Sequence, residues 1–378
     1  MPRLVHTADL HLGAPLGWLG SRAGKHREEL KQTLTAVTDL AIRERADCLI
    51  IAGDLFDSQS PPASDVRHAL KEFERLRAAS GTPVVILPGC HDFLGPASVY
   101  ASQRKDFGRH GRVTVLGLDG TPSADFPAAE LTVRGTPLMS KRTSEHQLAS
   151  VVPDPAYKYN VAVAHGALET AQSEADDHPI AGKGFAGWSY VALGHTHSWR
   201  EASGERADAF YSGAPEVVGP DDVGAGHAAV VDLDERGATV RKERVGRKTI
   251  KRIELDLTGS SNLASIAERV RTEAPPDDDT ILRLSLTGRL PVETDVESDR
   301  LCDLLRDDYF HVAVGSRSYE LSLDETELAT LPERLVVGRF ARLMKEGCEA
   351  AESASDRQES QDALLLGVAL LQGRDVLS

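Results

Sequence analysis

Histidine and aspartate gather in five short clusters along this sequence: Asp9-Leu10-His11, Gly53-Asp54, Gly89-Cys90-His91-Asp92, His165-Gly166 and Gly194-His195-Thr196-His197. Their carboxylates and imidazoles suit borderline cations such as Mn2+, Zn2+ or Fe2+ better than Mg2+ or Ca2+, which prefer all-oxygen shells. Side chains at i and i+2 of an extended segment point the same way, so Asp9 with His11, and His195 with His197, can each face one site. Glycine beside them lets the backbone turn sharply. Taken singly, each cluster is commonplace: an Asp-x-His triplet arises by chance, and Gly-Asp after a strand is ordinarily a turn. The joint pattern carries the weight, because every cluster closes an apolar run. His6, His178 and His227 lie outside it and read as structural.

Those runs are the elements that must position the clusters. Residues 3–8 read as a buried strand ending at Asp9, CLIIAG (48–53) as a second ending at Asp54, and VVILPG (84–89) as a third ending at Cys90 and His91. Helical spacing of Leu30, Leu34, Val37, Leu40 and Ala41 predicts a helix over about 25–45, and another follows over about 63–79. Strands alternating with helices predict a parallel sheet, whose carboxyl ends are where ligands gather. After Val113 the pattern is richer in strands, including NVAVAHG (160–166), YVALGHTH (190–197) and a hairpin over 228–245 turning at Glu235-Arg236-Gly237. Past the basic stretch Arg244–Arg252 comes a small βαβαβ unit, then a helical stripe of Leu335, Val336, Phe340, Leu343 and Met344. The terminal DALLLGVALLQ is more apolar than a solvated tail and is predicted to pack onto the chain or a partner. The expected units are 1–245, 246–325 and 326–378.

Composition bounds the function. A chain of 378 residues, 41% hydrophobic, has room for two or three units with real cores. Its four cysteines, Cys48, Cys90, Cys302 and Cys348, form no CxxC pair, which suits a reducing compartment and excludes a cysteine-rich zinc module. A formal net charge of −15 counts against tight, sequence-independent nucleic-acid binding by the isolated chain. Metal-binding carboxylates contribute to that charge, and bound cations would reverse the local sign; solubility alone explains the acidity equally well. With neither a charged-then-apolar leader nor an apolar run long enough to cross a bilayer, the expected location is the cytoplasm, off the membrane. No GxxxxGK[ST] loop occurs, so any ATPase activity would belong to another chain.

The order Asp-x-His, Gly-Asp, Gly-x-His-Asp, His-Gly, Gly-His-x-His resembles the calcineurin-like metallophosphoesterase superfamily. Within it, HTADLHLG, GDLFDSQSPP, ALGHTH and FYSGAPE are similar to the SbcD-type DNA-repair nucleases, bacterial relatives of the meiotic-recombination nuclease, closely over 1–245 and loosely beyond. Protein phosphatases of the superfamily typically show GDxVDRG and GNHE; Ser58 after Asp57 and Asp92 after His91 favour a phosphodiesterase. The resemblance implies an α/β fold: a four-layer αββα sandwich, a βαβαβ capping domain and C-terminal helices that could grip a partner. It implies two divalent ions, Mn2+ foremost and Zn2+ or Fe2+ the alternatives. One would be held by Asp9, His11, Asp54 and His197, the other by Asp54, Cys90, His165 and His195. Such a pair, roughly 3.5–4 Å apart, would activate water and clamp the attacking and leaving oxygens. His91 is implied to stabilise the transition state or protonate the leaving oxygen, with Asp92 either orienting that imidazole or packing. The implied partners are DNA, an SbcC-type ATPase and a second copy in a homodimer.

Cys90 departs from the family, which carries Asn there. As a thiolate ligand it would move preference toward zinc or iron. Outside the shell it would leave the second cation weaker and partly water-bound; or the exchange could have cost activity. The second outcome is the expectation. The competing functions are a small-molecule or cyclic-nucleotide phosphodiesterase and a catalytically weak scaffold.

Overall fold

The structure, a computed structural model, describes residues 1–109, 113–120, 122–169, 178–180, 185–202, 208–291, 296–318, 320–322, 328, 330–351 and 353–373. They divide into two compact units, Met1–Ile250 and Lys251–Ser378. Residues 319 and 323, in the last strand expected of the βαβαβ unit, and residues 374–378 lie outside the described residues.

The first unit is built on two six-stranded sheets. In one, Arg3–Thr7 pairs in parallel with Cys48–Ala52 and antiparallel with His227–Asp234. Val84–Leu87 and Val113–Val115 extend it in parallel on one side, and Gly237–Arg244 closes the other as a hairpin in which Asp234 faces Gly237. Cys48–Ala52 and Val84–Leu87 are buried along their whole length, as strands covered on both faces must be. Helix Ala23–Glu44 lies against Arg3–Thr7, Cys48–Ala52 and helix Ala63–Ser80, burying the stripe that includes Leu30, Leu34, Val37, Leu40 and Ala41. The second helix stops where Gly81 takes a left-handed φ of 73°.

The second sheet orders as Arg200–Glu201, Ala209–Tyr211, Tyr190–Gly194, Tyr159–His165, Leu131–Arg134 and Ser123–Phe126. Leu4, Ile50, Ala52, Val85 and Leu87 of the first sheet share a core with Val133, Val161, Val163, Tyr190 and Ala192 of the second. Tyr159, Val161 and Val163 face that core, and the two-residue strand period puts His165 on the same side. Ala162, Ala164, Val191 and Leu193 face the other way, against Leu148, Phe185 and Trp188.

In the second unit Asp277–Thr287 lies between Thr249–Asp256 and Tyr309–Arg317, and pairs in parallel with the latter. Helices Leu263–Glu273 and Ser298–Leu305 bury Ile266, Val270, Leu301 and Leu305 against this sheet, giving the βαβαβ order. Helices Val336–Ala350 and Ala354–Leu371 pack on each other. Val337, Phe340, Ala341 and Met344 meet Leu364, Val368 and Ala369, so Phe340 and Met344 of the predicted stripe are used within the chain and the apolar terminal segment packs onto them. Leu335, Val336 and Leu343 remain exposed. No described helix is long and apolar enough to cross a membrane.

Candidate metal centre

The loops that follow two neighbouring strands go on pairing past the strand ends. Asp9 N donates to Gly53 O, His11 N to Asp54 O and Leu12 N to Leu55 O, each at 3.0 Å, which carries Asp9, His11 and Asp54 forward together. They are not extended there. Asp9, His11 and Asp54 have φ of 55°, 46° and 51°, and His195 has 94°, so these four supply half of the eight described non-glycine residues with positive φ. Each such residue costs on the order of 1–3 kcal/mol and persists only where its surroundings enforce it. Asp9 and His11 thus reach a common cluster through a left-handed turn rather than through the i, i+2 rule for strands. Two glycines permit the close approach: a Cβ on Gly53 would run into the His165 ring, and one on Gly89 into the Asp54 carboxylate.

The side chains meet in two groups. Donor atoms of Asp9, His11 and His197 lie within 4.8 Å of one another, as do those of Cys90, His165 and His195. Asp54 stands between them. Its Oδ2 is 3.2 Å from His165 Nε2, 3.8 Å from His11 Nε2 and 3.4 Å from Cys90 Sγ. His195 is tied in through its backbone, whose N–H donates to both Asp9 oxygens at 3.0 Å.

Three imidazoles have their second nitrogen held. His165 Nδ1 donates to Ala52 O at 2.9 Å, His11 Nδ1 meets Asp57 Oδ1 at 3.0 Å, and His197 Nδ1 meets Asp222 Oδ1 at 3.0 Å. Such partners fix the tautomer and aim the Nε2 lone pair outward, the usual arrangement of a metal-ligating histidine. Nε2 of His11 and of His165 are buried and satisfied by no hydrogen bond, although both converge on Asp54. Leaving buried polar atoms in that state costs free energy that a bound cation would recover. The donor set fits a divalent metal.

The electrostatics agree. Burial pushes the Asp54 carboxyl up, but His165, His11 and His91 outweigh it and hold Asp54 well below the usual carboxylate range. Burial pushes His165 down, and Asp54 more than reverses this, so His165 stands well above the usual imidazole. His197 is likewise opposed by burial yet raised to about 9 by its hydrogen bond to Asp222 and the charge of Asp9. These protons occupy a place where cationic charge is favoured, and a metal must displace them. The sign follows: below about pH 9 a metal competes with the proton on His197, so metal affinity is expected to rise with pH until that proton is gone. Calorimetric titration with Mn2+ in buffers of different ionisation enthalpy should show protons released at pH 7 and fewer at pH 9; no release at pH 7 would refute this.

The remaining predicted residues are placed as follows. Cys90 Sγ sits among the donors rather than away from them, 3.8 Å from His195 Nδ1. Burial pushes its thiol up to about 11, so at neutral pH it is protonated and donates to Asp54. His91 is partly exposed. Its N–H donates to Asp54 Oδ1 at 2.8 Å, and its Nδ1 donates to Asp57 O at 3.0 Å, leaving Nε2 available. The rings of His91 and His11 meet edge-on at 4.7 Å. Asp92 is fully buried and accepts from Gly89 N at 2.8 Å, Phe56 N at 3.1 Å and Tyr100 OH at 2.6 Å. Of the two roles open to it, packing is the one these contacts fit. Burial and the charge of Asp54 push Asp92 up to about 6. His6, bonded to Tyr190 OH at 2.9 Å, is structural. His178 packs edge-on to His195 at 5.8 Å and so borders the site.

Two residues that the sequence clusters did not mark complete the site. Asp57 holds His11 by its carboxylate and His91 by its carbonyl; its place three residues after Asp54 was the available signal. Asp222 holds His197 from 25 residues away, with no local signal.

The calcineurin-like phosphoesterase family pattern matches residues 2–199. Among curated proteins, the DNA double-strand break repair protein Mre11 of Aeropyrum pernix is 26% identical over 280 residues, 71% of this chain and 67% of that protein. The SbcD component of the nuclease SbcCD from Rhodobacter capsulatus is 26% identical over 340 residues, 77% of this chain and 81% of that one. The uncharacterized metallophosphoesterase YhaO of Bacillus subtilis is 23% identical over 303 residues, 75% of this chain and 68% of that one. A second archaeal Mre11, from Sulfurisphaera tokodaii, is matched over 63% of its own length, slightly less than two thirds.

Proposed function

This chain belongs to the calcineurin-like phosphoesterase family, and from that premise we propose that it is a two-metal phosphodiesterase that cuts DNA, serving repair. The observation that carries the reading is the pair of donor clusters sharing Asp54, with His91 beside them. Asp9, His11, Asp54 and His197 would hold one cation and Asp54, Cys90, His165 and His195 the other, Mn2+ being the first choice. When bound, the pair would supply Lewis-acid polarisation of the phosphate and an activated water.

The rest is done by the chain itself. Asp54 and Asp9 bring negative charge that draws cations into a buried site. Asp57 fixes His91 with Nδ1 protonated, which leaves Nε2 to hold a proton for the leaving oxygen. Asp92 stiffens the turn carrying Cys90 and His91 through Gly89 and Phe56. The names of the relatives support DNA as substrate and an SbcC-type partner chain; that this partner is an ATPase, and that the working form is a homodimer in the cytoplasm, is part of the same proposal and rests on the sequence resemblance. The exposed Leu335, Val336 and Leu343 on the C-terminal helices offer that ATPase an apolar face.

Cleavage of linear duplex and single-stranded DNA with Mn2+ tests the reading. His91→Ala should lower turnover by roughly a hundredfold or more while metal content stays at two equivalents; unchanged cleavage would refute the role of His91. Cys90→Asn exchanges a protonated thiol for a neutral oxygen donor and should raise Mn2+-supported cleavage several-fold. Cleavage of small phosphodiesters with none of DNA would favour the small-molecule reading instead.

A further inference from the structure

The loop that holds Asp222 is anchored far more firmly than a surface loop needs to be. Asp222 Oδ2 accepts the N–H groups of Val218 at 2.9 Å and Gly219 at 2.5 Å, while Oδ1 meets His197 Nδ1 at 3.0 Å. The carbonyls just before are pinned as well: Trp18 Nε1 donates to Val218 O at 2.9 Å, and His26 Nε2 meets Val217 O at 2.6 Å. Glu216, almost fully buried, accepts from the backbone of Val217 at 3.0 Å, Arg247 at 2.7 Å and Lys248 at 3.0 Å, and from the Thr33 hydroxyl at 3.3 Å. Lys248 Nζ reaches Glu29 at 3.0 Å with both side chains buried, and Glu29 also meets His26 at 2.8 Å. Residues 216–222 are therefore locked to helix Ala23–Glu44 and to the segment 247–248 by groups that belong to neither donor cluster.

We propose that Asp222 is a positioning residue for the metal centre, holding His197 in the Nδ1-protonated tautomer from a loop made rigid by the Glu216 and Glu29–Lys248 contacts. The proposal rests on His197 being a metal ligand. Its physical content is the tautomer. A carboxylate can only accept, so Nδ1 carries the proton and Nε2 keeps its lone pair for a cation. An amide in the same place can turn its NH2 toward Nδ1, which makes Nδ1 an acceptor and moves the proton to Nε2, where it blocks ligation. The remaining amide oxygen can still accept from Val218 and Gly219.

Calorimetric titration of the metal-stripped chain with Mn2+ separates the possibilities, using Asp222→Asn, Asp222→Ser and His197→Ala, with thermal unfolding in EDTA as the measure of fold. The parent should bind two equivalents. Asp222→Asn is expected to weaken one of the two by roughly 10- to 100-fold, the range for loss of an outer partner, with an unfolding midpoint in EDTA close to the parent's. Asp222→Ser retains an acceptor near Val218 but cannot reach His197, and should show the same one-site loss. A merely structural Asp222 would give the opposite pattern, a lowered midpoint with both affinities intact, and that result overturns the proposal. If His197→Ala also titrates like the parent, it is the metal-site reading that has failed.

Discussion

Replacing Asp54 with asparagine is expected to empty both metal sites at once and to lower phosphodiester cleavage by on the order of a thousandfold or more. Asp54 Oδ2 lies 3.2 Å from His165 and 3.8 Å from His11, one member of each donor cluster, so a single carboxylate oxygen serves both. The amide keeps the shape and can still accept the His91 N–H through its oxygen, now made at 2.8 Å to Oδ1, so the turn should survive. What is lost is the negative charge set between the two groups, and with it several kcal/mol of charge stabilisation, equivalent to about three decades in rate. Elemental analysis after dialysis gives the check. The parent should retain about two equivalents and the variant close to none; two equivalents in the variant would show that Asp54 is not shared.

The second large effect concerns stability and lies away from the donors. Lys248 is fully buried, and its ammonium is 3.0 Å from Glu29. Removing one partner of a buried pair leaves an uncompensated charge and typically costs about 3–5 kcal/mol. Lys248→Met is therefore expected to lower the unfolding midpoint in EDTA by roughly 6–20 °C, taking about 2–4 °C per kcal/mol for a unit of this size. Adding Glu29→Gln should recover more than half of the loss, because the orphaned charge goes with it. Burial pushes Glu29 up, but its bonds to His26 and Lys248 prevail and hold it below its ordinary value of 4.5. A carboxyl depressed in the folded state contributes stability above its unfolded pKa and loses it as pH falls through the folded one. The parent's advantage over the double variant should accordingly shrink below about pH 4.5. Circular dichroism melts across pH 3–7 measure it, and a single Lys248→Met that melts with the parent would refute the argument.

Much of this molecule was legible because buried strands are short apolar runs and turns are rich in glycine and aspartate. Cys48–Ala52, Val84–Leu87 and the hairpin facing Asp234 to Gly237 follow directly from that rule. So did the convergence of Asp9, His11, Asp54, Cys90, His165, His195 and His197, since each closes a strand and parallel strands end on one side. What could not be read was local geometry set by distant groups. Nothing in a non-glycine Asp9 or His11 announces a left-handed φ; the loop beside it, through Gly53 and Asp54, imposes it. Asp92 next to His91 invited a catalytic role, but Gly89, Phe56 and Tyr100 claim its oxygens. Asp222 was invisible because its partner is set by a loop crossing rather than by spacing.

The ladder that runs on past the strands, from Asp9 N to Gly53 O and from His11 N to Asp54 O, has a consequence for recognition. A floor knitted into the sheet has little freedom to mould itself around different molecules, and it greets every phosphate ester with the same geometry. Choice among substrates must then come from the walls, the segments rising around that floor. Altering what is cut is thus a matter of exchanging periphery while the base stays as it is.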